Sequence, residues 1–155
     1  MGKSVNPHIW TEGGIKLVLT NKAEAMVFFR QAIKLSSKTA NAFFERGMAH
    51  QTLKNHELAI REYDQALKLD PQNVQAYFNR ATAHQTLGNL EKAFQDYDRV
   101  VKIKPDYAPA YLGRGKACKH LQQFKSALAD FKTAARLGEP EAQALLESMG
   151  IDWRV

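Results

Sequence analysis

The charged residues of this sequence recur at a fixed distance. Arginine occupies three positions separated by 34 residues, and an acid follows each arginine sixteen residues later. The three combinations are Arg46 with Glu62, Arg80 with Asp96, and Arg114 with Asp130. Because the planar guanidinium group matches a carboxylate, each combination predicts an internal ion pair. The same arginines could instead bind an anionic ligand, and we favour the ion pairs.

A second repeated position holds His50, His84 and Cys118. Two imidazoles in neighbouring units could indicate a metal site, but Cys118 has no acid or histidine beside it in that column to complete one. We therefore predict packed, hydrogen-bonded histidines, a small buried cysteine, and neither a metal nor any other cofactor. Since the chain has one cysteine, it cannot form an intrachain disulfide.

The sequence offers no arrangement of residues for catalysis. It contains no glycine-rich phosphate loop, no metal-ligand cluster and no serine–histidine–acid set. The pair Gly13-Gly14 is too short for a nucleotide-binding loop. We therefore expect a protein that is not an enzyme.

The elements that position these residues belong to an internal repeat. Ala40, Val74 and Ala108 begin three units that align without a gap. Each unit has an aromatic residue at position 4, a small residue at position 8, alanine at position 20 and an aromatic residue at position 24. Two apolar stretches at helical spacing predict two helices in each unit. The turns between them are Lys54-Asn55, Gly88-Asn89 and Gln122-Gln123, and asparagine and glycine favour the end of a helix. A hairpin of this kind brings together positions whose numbers sum to about 30, so glycine or alanine at position 8 should face alanine at position 20.

These residues resemble the tetratricopeptide repeat family, which has the same period and helix–turn–helix pattern. The resemblance covers nearly the whole chain, although arginine replaces the usual leucine at position 7 and histidine or cysteine replaces tyrosine at position 11. It implies an all-α fold, a right-handed αα-superhelix (solenoid) of helix hairpins with a C-terminal capping helix. The expected parts are a degenerate hairpin at 1–39, repeats at 40–73, 74–107 and 108–138, and the capping helix and tail at 139–155.

The two ends of the chain depart from the repeat. Within residues 1–39, Pro7 and the paired glycines disfavour a helix, and residues 15–19 alternate more like a strand. After the last repeat, Pro140 suits a first helical turn. The predicted apolar face of this capping helix comprises Ala142, Leu145, Leu146 and Met149, and the residues expected to fold back after it are Ile151 and Trp153.

The resemblance also implies a binding surface, because family members hold partners on the concave side formed by the first helix of each hairpin. At position 5 this surface carries an apolar stripe of Trp10, Phe44, Phe78 and Leu112. We predict that Phe44, Phe78 and Leu112 anchor an extended peptide or a partner helix. The other predicted contact residues are Met48, Gln51, Asn79, Gln85, Lys116 and Lys119. The stripe could instead pack against neighbouring helices, or the terminal helix could cover it.

One subgroup of the family holds the C-terminal carboxylate of a heat-shock chaperone with lysine, asparagine and arginine. In this sequence only Asn79 matches that clamp, and Glu45 would repel a carboxylate. We therefore do not expect a carboxylate clamp.

The charge of the chain leaves other partners open. The net charge is +6 and the third unit is basic, so RNA binding is the alternative function. Because Arg114 is expected to pair with Asp130, and only Lys116, Lys119 and His120 cluster on the inner face, we favour an acidic peptide over nucleic acid. A purely structural assembly role is a third alternative, and the chain could be a monomer or a weak homo-oligomer.

The sequence gives no sign of membrane insertion or export. No apolar run approaches the roughly 20 residues that span a bilayer, and the first residues lack the apolar stretch of a secretory signal. We expect a cytoplasmic protein without membrane contact.

Overall fold

A computed structural model describes residues 38–154 of the chain, together with Val27. Residues 38–154 contain only helices and connecting turns, which agrees with the predicted all-α class. The hairpin predicted at residues 1–39, with its strand-like alternation at 15–19, lies almost entirely outside the described residues. The helices are α1 (Ala40–Thr52), α2 (His56–Leu69), α3 (Val74–Thr86), α4 (Leu90–Ile103), α5 (Ala108–His120), α6 (Phe124–Arg136) and α7 (Pro140–Ser148).

Helices α1 and α3 are each the first helix of a hairpin, and a side chain just before each of them fixes where it begins. The Ala42 amide donates to Thr39 Oγ1 over 3.2 Å, and the Ala76 amide donates to Asn73 Oδ1 over 2.9 Å. Such caps satisfy backbone N–H groups that have no partner within the helix. They explain why α1 and α3 start at the first residue of a repeat.

The turns inside the hairpins require a left-handed residue. Gly88 has a φ of +77°, as predicted for a glycine helix stop. In the other two turns, Lys54 (φ +61°) and Gln122 (φ +59°) adopt this conformation. All three turns lie where the sequence predicts them, but the left-handed residue is a glycine only at Gly88; elsewhere it is the residue before Asn55 or Gln123.

The described residues divide into two compact units, and the boundary falls between Ala76 and Tyr77, inside α3. In the first unit, α1 packs against α2. In the second unit, α4 packs against α5, α5 against α6, and α6 against α7. No helix in the described part of the chain has the length and apolar character that a membrane span needs.

Small residues let the paired helices approach closely. A Cβ atom added to Gly47 would lie 2.5 Å from the Tyr63 ring, and one added to Gly115 would lie 2.7 Å from the Phe131 ring. The expected partner of Gly115, Ala127, is also close, with its carbonyl at 3.2 Å. For both glycines the nearest neighbour is thus the aromatic ring at position 24. For Gly115 the alanine at position 20 is the second neighbour.

The helix α7 covers α6 as the sequence predicts. Ala142 and Leu146 are fully buried, and Ile151 and Trp153 pack against the same core cluster. Met149 differs from the predicted apolar face, because it is 55% exposed. Met149 directly follows Ser148, the last residue of α7.

Candidate peptide-binding surface

The three predicted ion pairs are present in the structure. Their N–O distances are 2.9 Å for Arg46–Glu62, 2.6 Å for Arg80–Asp96 and 2.7 Å for Arg114–Asp130. Each guanidinium also lies over the aromatic ring at position 4 of its own repeat, at 4.5 to 5.5 Å from the ring centroid. Because the arginines make these internal contacts, they are part of the fold and not a row of ligand-binding cations.

Arg114 has a second acidic partner that the sequence analysis missed. Its Nη1 donates to Asp98 Oδ1 over 2.7 Å, while its Nε and Nη2 donate to Asp130. The pKa of Arg114 is raised, chiefly by the hydrogen bond with Asp130 and further by Asp98, so the guanidinium stays charged. The signal was available, because Asp98 stands sixteen residues before Arg114.

In the first unit, Phe44 belongs to a small cluster on α1 and α2. Its ring lies 6.0 Å from the ring of Tyr63, which is fully buried. The Tyr63 hydroxyl donates to Gln51 Oε1 over 2.7 Å. Phe44, Met48 and Gln51 are half-buried, so the predicted contact residues of this unit keep part of their surface.

The second unit repeats this cluster on α3 and α4. The Phe78 ring lies 5.7 Å from that of Tyr97, and the Tyr97 hydroxyl donates to Gln85 Oε1 over 2.9 Å. Phe78 also contacts Tyr107 edge-on, at 5.2 Å between the ring centroids. Phe78, Asn79 and Gln85 are half-buried. The same aromatic and amide side chains therefore occupy the same repeat positions in both units.

The hairpin of α5 and α6 breaks this pattern. Leu112 is only 7% exposed and belongs to the hydrophobic core, so the third member of the apolar stripe has little surface for a ligand. Lys119 takes the position of the glutamines and is exposed. Lys116 is half-buried and its Nζ lies 2.6 Å from Glu141 Oε1 of α7.

The histidines and the cysteine are buried side chains of the interior. His50 and His84 are each 8% exposed, and Cys118 is fully buried. No described residue shares a hydrogen bond with the buried Nδ1 of His50, which differs from the predicted hydrogen-bonded histidine. The pKa of His50 is lowered, mainly by burial and also by Arg46, against the opposing effect of Glu62. Burial likewise raises the pKa of the Cys118 thiol.

Within the described residues, no three metal-ligating side chains come together. Two hollows are present near the C-terminal end of the second unit. One has a volume of about 220 Å³ and an almost entirely apolar lining. The other, of about 520 Å³, is lined in part by Lys116, Lys119 and His120. Lys119 lines both hollows and Lys116 lines the second, and both lysines are predicted contacts of an acidic ligand.

Comparisons with known proteins agree with this architecture. A profile of the tetratricopeptide repeat matches residues 44–108. The TPR domain of Arabidopsis OM64 is similar in structure, with a TM-score of 0.65 and 31% identity over 71% of this chain and 95% of that chain. The first TPR domain of Spaghetti (RPAP3), solved with the HSP90 peptide SRMEEVD, has a TM-score of 0.68 and 27% identity over 75% of this chain and 94% of that chain.

A more distant likeness concerns the fold alone. MamA from Desulfovibrio magneticus RS-1 has a TM-score of 0.71 and 19% identity, over 89% of this chain and 77% of that chain. No curated protein matches the sequence significantly. Together, the structural likenesses confirm the predicted fold class of stacked helix hairpins.

Proposed function

The chain belongs to the tetratricopeptide repeat family, and from this premise we propose that it is a non-enzymatic, cytoplasmic interaction protein. In this proposal, the first helices of its hairpins bind a peptide or helix of a partner protein, without a cofactor. The observation that supports it most is the repeated cluster of a half-buried aromatic ring and an amide side chain. This cluster occurs once around Phe44 and once around Phe78.

The geometry of these clusters suits a peptide. The carbonyl oxygens of Gln51 and Gln85 are already held by tyrosine hydroxyls, and no described residue accepts a hydrogen bond from their NH₂ groups. A fixed amide with donors to spare can bind the backbone carbonyls of an extended segment. The neighbouring rings of Phe44 and Phe78 supply apolar contact area at a low cost in conformational entropy.

The charges favour an acidic partner. Lys119 is exposed, and no carboxylate among the described residues lies within ion-pair distance of it. In the Spaghetti complex the bound HSP90 peptide is itself rich in acidic residues. Since Leu112 is buried, we assign the apolar anchoring to Phe44 and Phe78 and assign Lys116 and Lys119 to the acidic part of the ligand.

RNA binding has less support, because two basic side chains of the third repeat have acidic partners. Arg114 contacts Asp98 and Asp130, and Lys116 contacts Glu141. RNA binding should weaken by orders of magnitude between low and moderate salt, because the release of counterions drives it. Peptide binding anchored by aromatic rings should change far less.

A pull-down with matched variants tests the proposal. We expect the combined Phe44→Ala and Phe78→Ala substitutions to abolish capture of the partner, because each lost aromatic contact weakens binding by about tenfold or more. Leu69→Ala and Leu137→Ala are matched controls, since these leucines are 56% and 41% exposed but lie outside the two clusters. Circular dichroism should show unchanged helicity in all variants. The site is wrong if the double variant retains the same partners as the wild type.

A further inference from the structure

Helix α7, which packs against α6, is shorter than helix α5, which packs against α4. In the second unit, α5 has 13 residues and α7 has nine, which makes α7 about 6 Å shorter. Phe124 begins α6 and is 65% exposed, whereas Leu90, at the same place in α4, is half-buried. The short cover therefore leaves the beginning of α6 open.

An apolar pocket of about 220 Å³ occupies this open end. We call it the C-terminal pocket. Ligand sites for small molecules usually exceed about 300 Å³, so the volume suits one bulky side chain better than a cofactor. The residues around it include Phe124, Leu128, Phe131, Leu145, Met149 and, as the one charged group, Lys119.

The mouth of the pocket is basic. Lys119 also lines the second hollow, which it shares with Lys116, His120 and Glu141. Glu141 contacts Lys116 at 2.6 Å. No carboxylate of the described chain lies within ion-pair distance of Lys119 or His120. A ligand that placed carboxylates here would meet unopposed donors next to an apolar cavity.

We propose that the C-terminal pocket binds one bulky apolar side chain of an acidic partner peptide, whose neighbouring carboxylates contact Lys119 and His120. The inference rests on the proposed function only in taking the ligand to be a peptide. All the pocket residues belong to the second unit, and neither Phe44 nor Phe78 is among them. Lys119 is common to both sites, so the variants of Phe124 on one side and of Phe44 with Phe78 on the other distinguish them.

The test uses the full chain and a synthetic probe. The probe is a terminally blocked, fluorescein-labelled peptide with one phenylalanine between two pairs of glutamates, flanked by glycine and serine. Fluorescence anisotropy measures its binding, alongside one control peptide with serine for phenylalanine and another with lysine for glutamate. We expect both control peptides to bind at least about tenfold more weakly, because each lacks one of the two complementary features.

Variants of the protein then locate the site. Phe124→Ala should weaken binding of the probe about tenfold, through lost apolar contact. Lys119→Gln should weaken it about threefold, since an exposed charge contributes little. Leu137→Ala is the matched control and should bind like the wild type. Because Phe124, Lys119 and Leu137 are exposed, all three variants should fold.

The possible outcomes separate this site from the other one. Equal binding of the phenylalanine and serine peptides, or unchanged binding by Phe124→Ala, would overturn the C-terminal pocket. Loss of binding only in the combined Phe44 and Phe78 variant would reject the pocket while supporting the proposed function. Concentration-dependent self-association that Phe124→Ala abolishes, without probe binding, would make a second copy the occupant and also reject the proposal. Weaker binding by Phe124→Ala, together with unchanged binding by the combined Phe44 and Phe78 variant, supports the pocket.

Discussion

The hairpins α1–α2 and α5–α6 follow the same backbone plan but use the side chain at position 12 differently. In α1–α2, the Tyr63 hydroxyl holds the amide of Gln51. In α5–α6, Phe131 replaces the tyrosine and Lys119 replaces the glutamine, and Lys119 is exposed. The side chain at position 12 is therefore held by a tyrosine hydroxyl in α1–α2 and has no such partner in α5–α6.

The same two hairpins differ at one further position. The residue at position 11 is His50 in the first and Cys118 in the second, and both are buried. The arginine of α5–α6 has a carboxylate from α4 in addition to the one in its own hairpin. These differences show that repeats of one family can keep their packing while changing their titratable and charged groups.

The largest expected effect concerns the two acids around Arg114. Asp130→Ala alone and Asp98→Ala alone should each lower the free energy of unfolding by about 1 kcal/mol, because the other acid still contacts the guanidinium. Removing both acids should cost about 3–4 kcal/mol, more than the sum of the single changes, because a partly buried charge then lacks any carboxylate. Urea unfolding of the two single variants and the double variant measures this. Adding Arg114→Met to the double variant should restore part of the stability. If the loss in the double variant equals the sum of the two single losses, the two acids do not act on Arg114 together.

A smaller effect on stability is expected from exchanging the residues at positions 12 and 24 between the hairpins α1–α2 and α5–α6. Tyr63→Phe should lower the free energy of unfolding by about 1 kcal/mol, the contribution of one hydrogen bond. Phe131→Tyr combined with Lys119→Gln should raise it by a similar or smaller amount, by building the Tyr63–Gln51 contact into α5–α6. Tyr77→Phe is the control, because no described residue shares a hydrogen bond with its hydroxyl. Thermal or urea unfolding measures these changes. If Tyr77→Phe and Tyr63→Phe lower the free energy of unfolding equally, the contact of the Tyr63 hydroxyl with Gln51 does not stabilise the fold.

The smallest effect is a dependence on pH that comes from His50. Because its pKa in the folded state lies below the ordinary value of 6.5, the unfolded chain binds a proton at mildly acidic pH while the folded chain does not. The free energy of unfolding should therefore fall as the pH decreases through 6.5, and the contribution of His50 is fully present only above that value. Under reducing conditions, His50→Cys, which copies the third hairpin, should make this fall shallower. Identical pH profiles would exclude a contribution from His50.

Much of the hairpin architecture could be predicted because it depends on positions within one repeat. The pairing of Arg46 with Glu62 follows from the geometry of two antiparallel helices joined by a short turn, and the structure confirms it. The fold class follows from the period of the same pattern. The turns were less predictable, since Lys54 and Gln122 adopt a left-handed conformation that their residue types do not favour.

The parts that could not be predicted depend on contacts between different hairpins. The sequence by itself determined the repeat, the helix pairs and the ion pair within each pair, because these arise between residues at fixed separations along the chain. The tertiary structure alone decided that Leu112 is buried and that the early end of α7 leaves an apolar pocket beside Lys119. The physical reason is that burial and side-chain contacts between hairpins depend on how far each helix extends over its neighbour, and a repeat period does not contain that information.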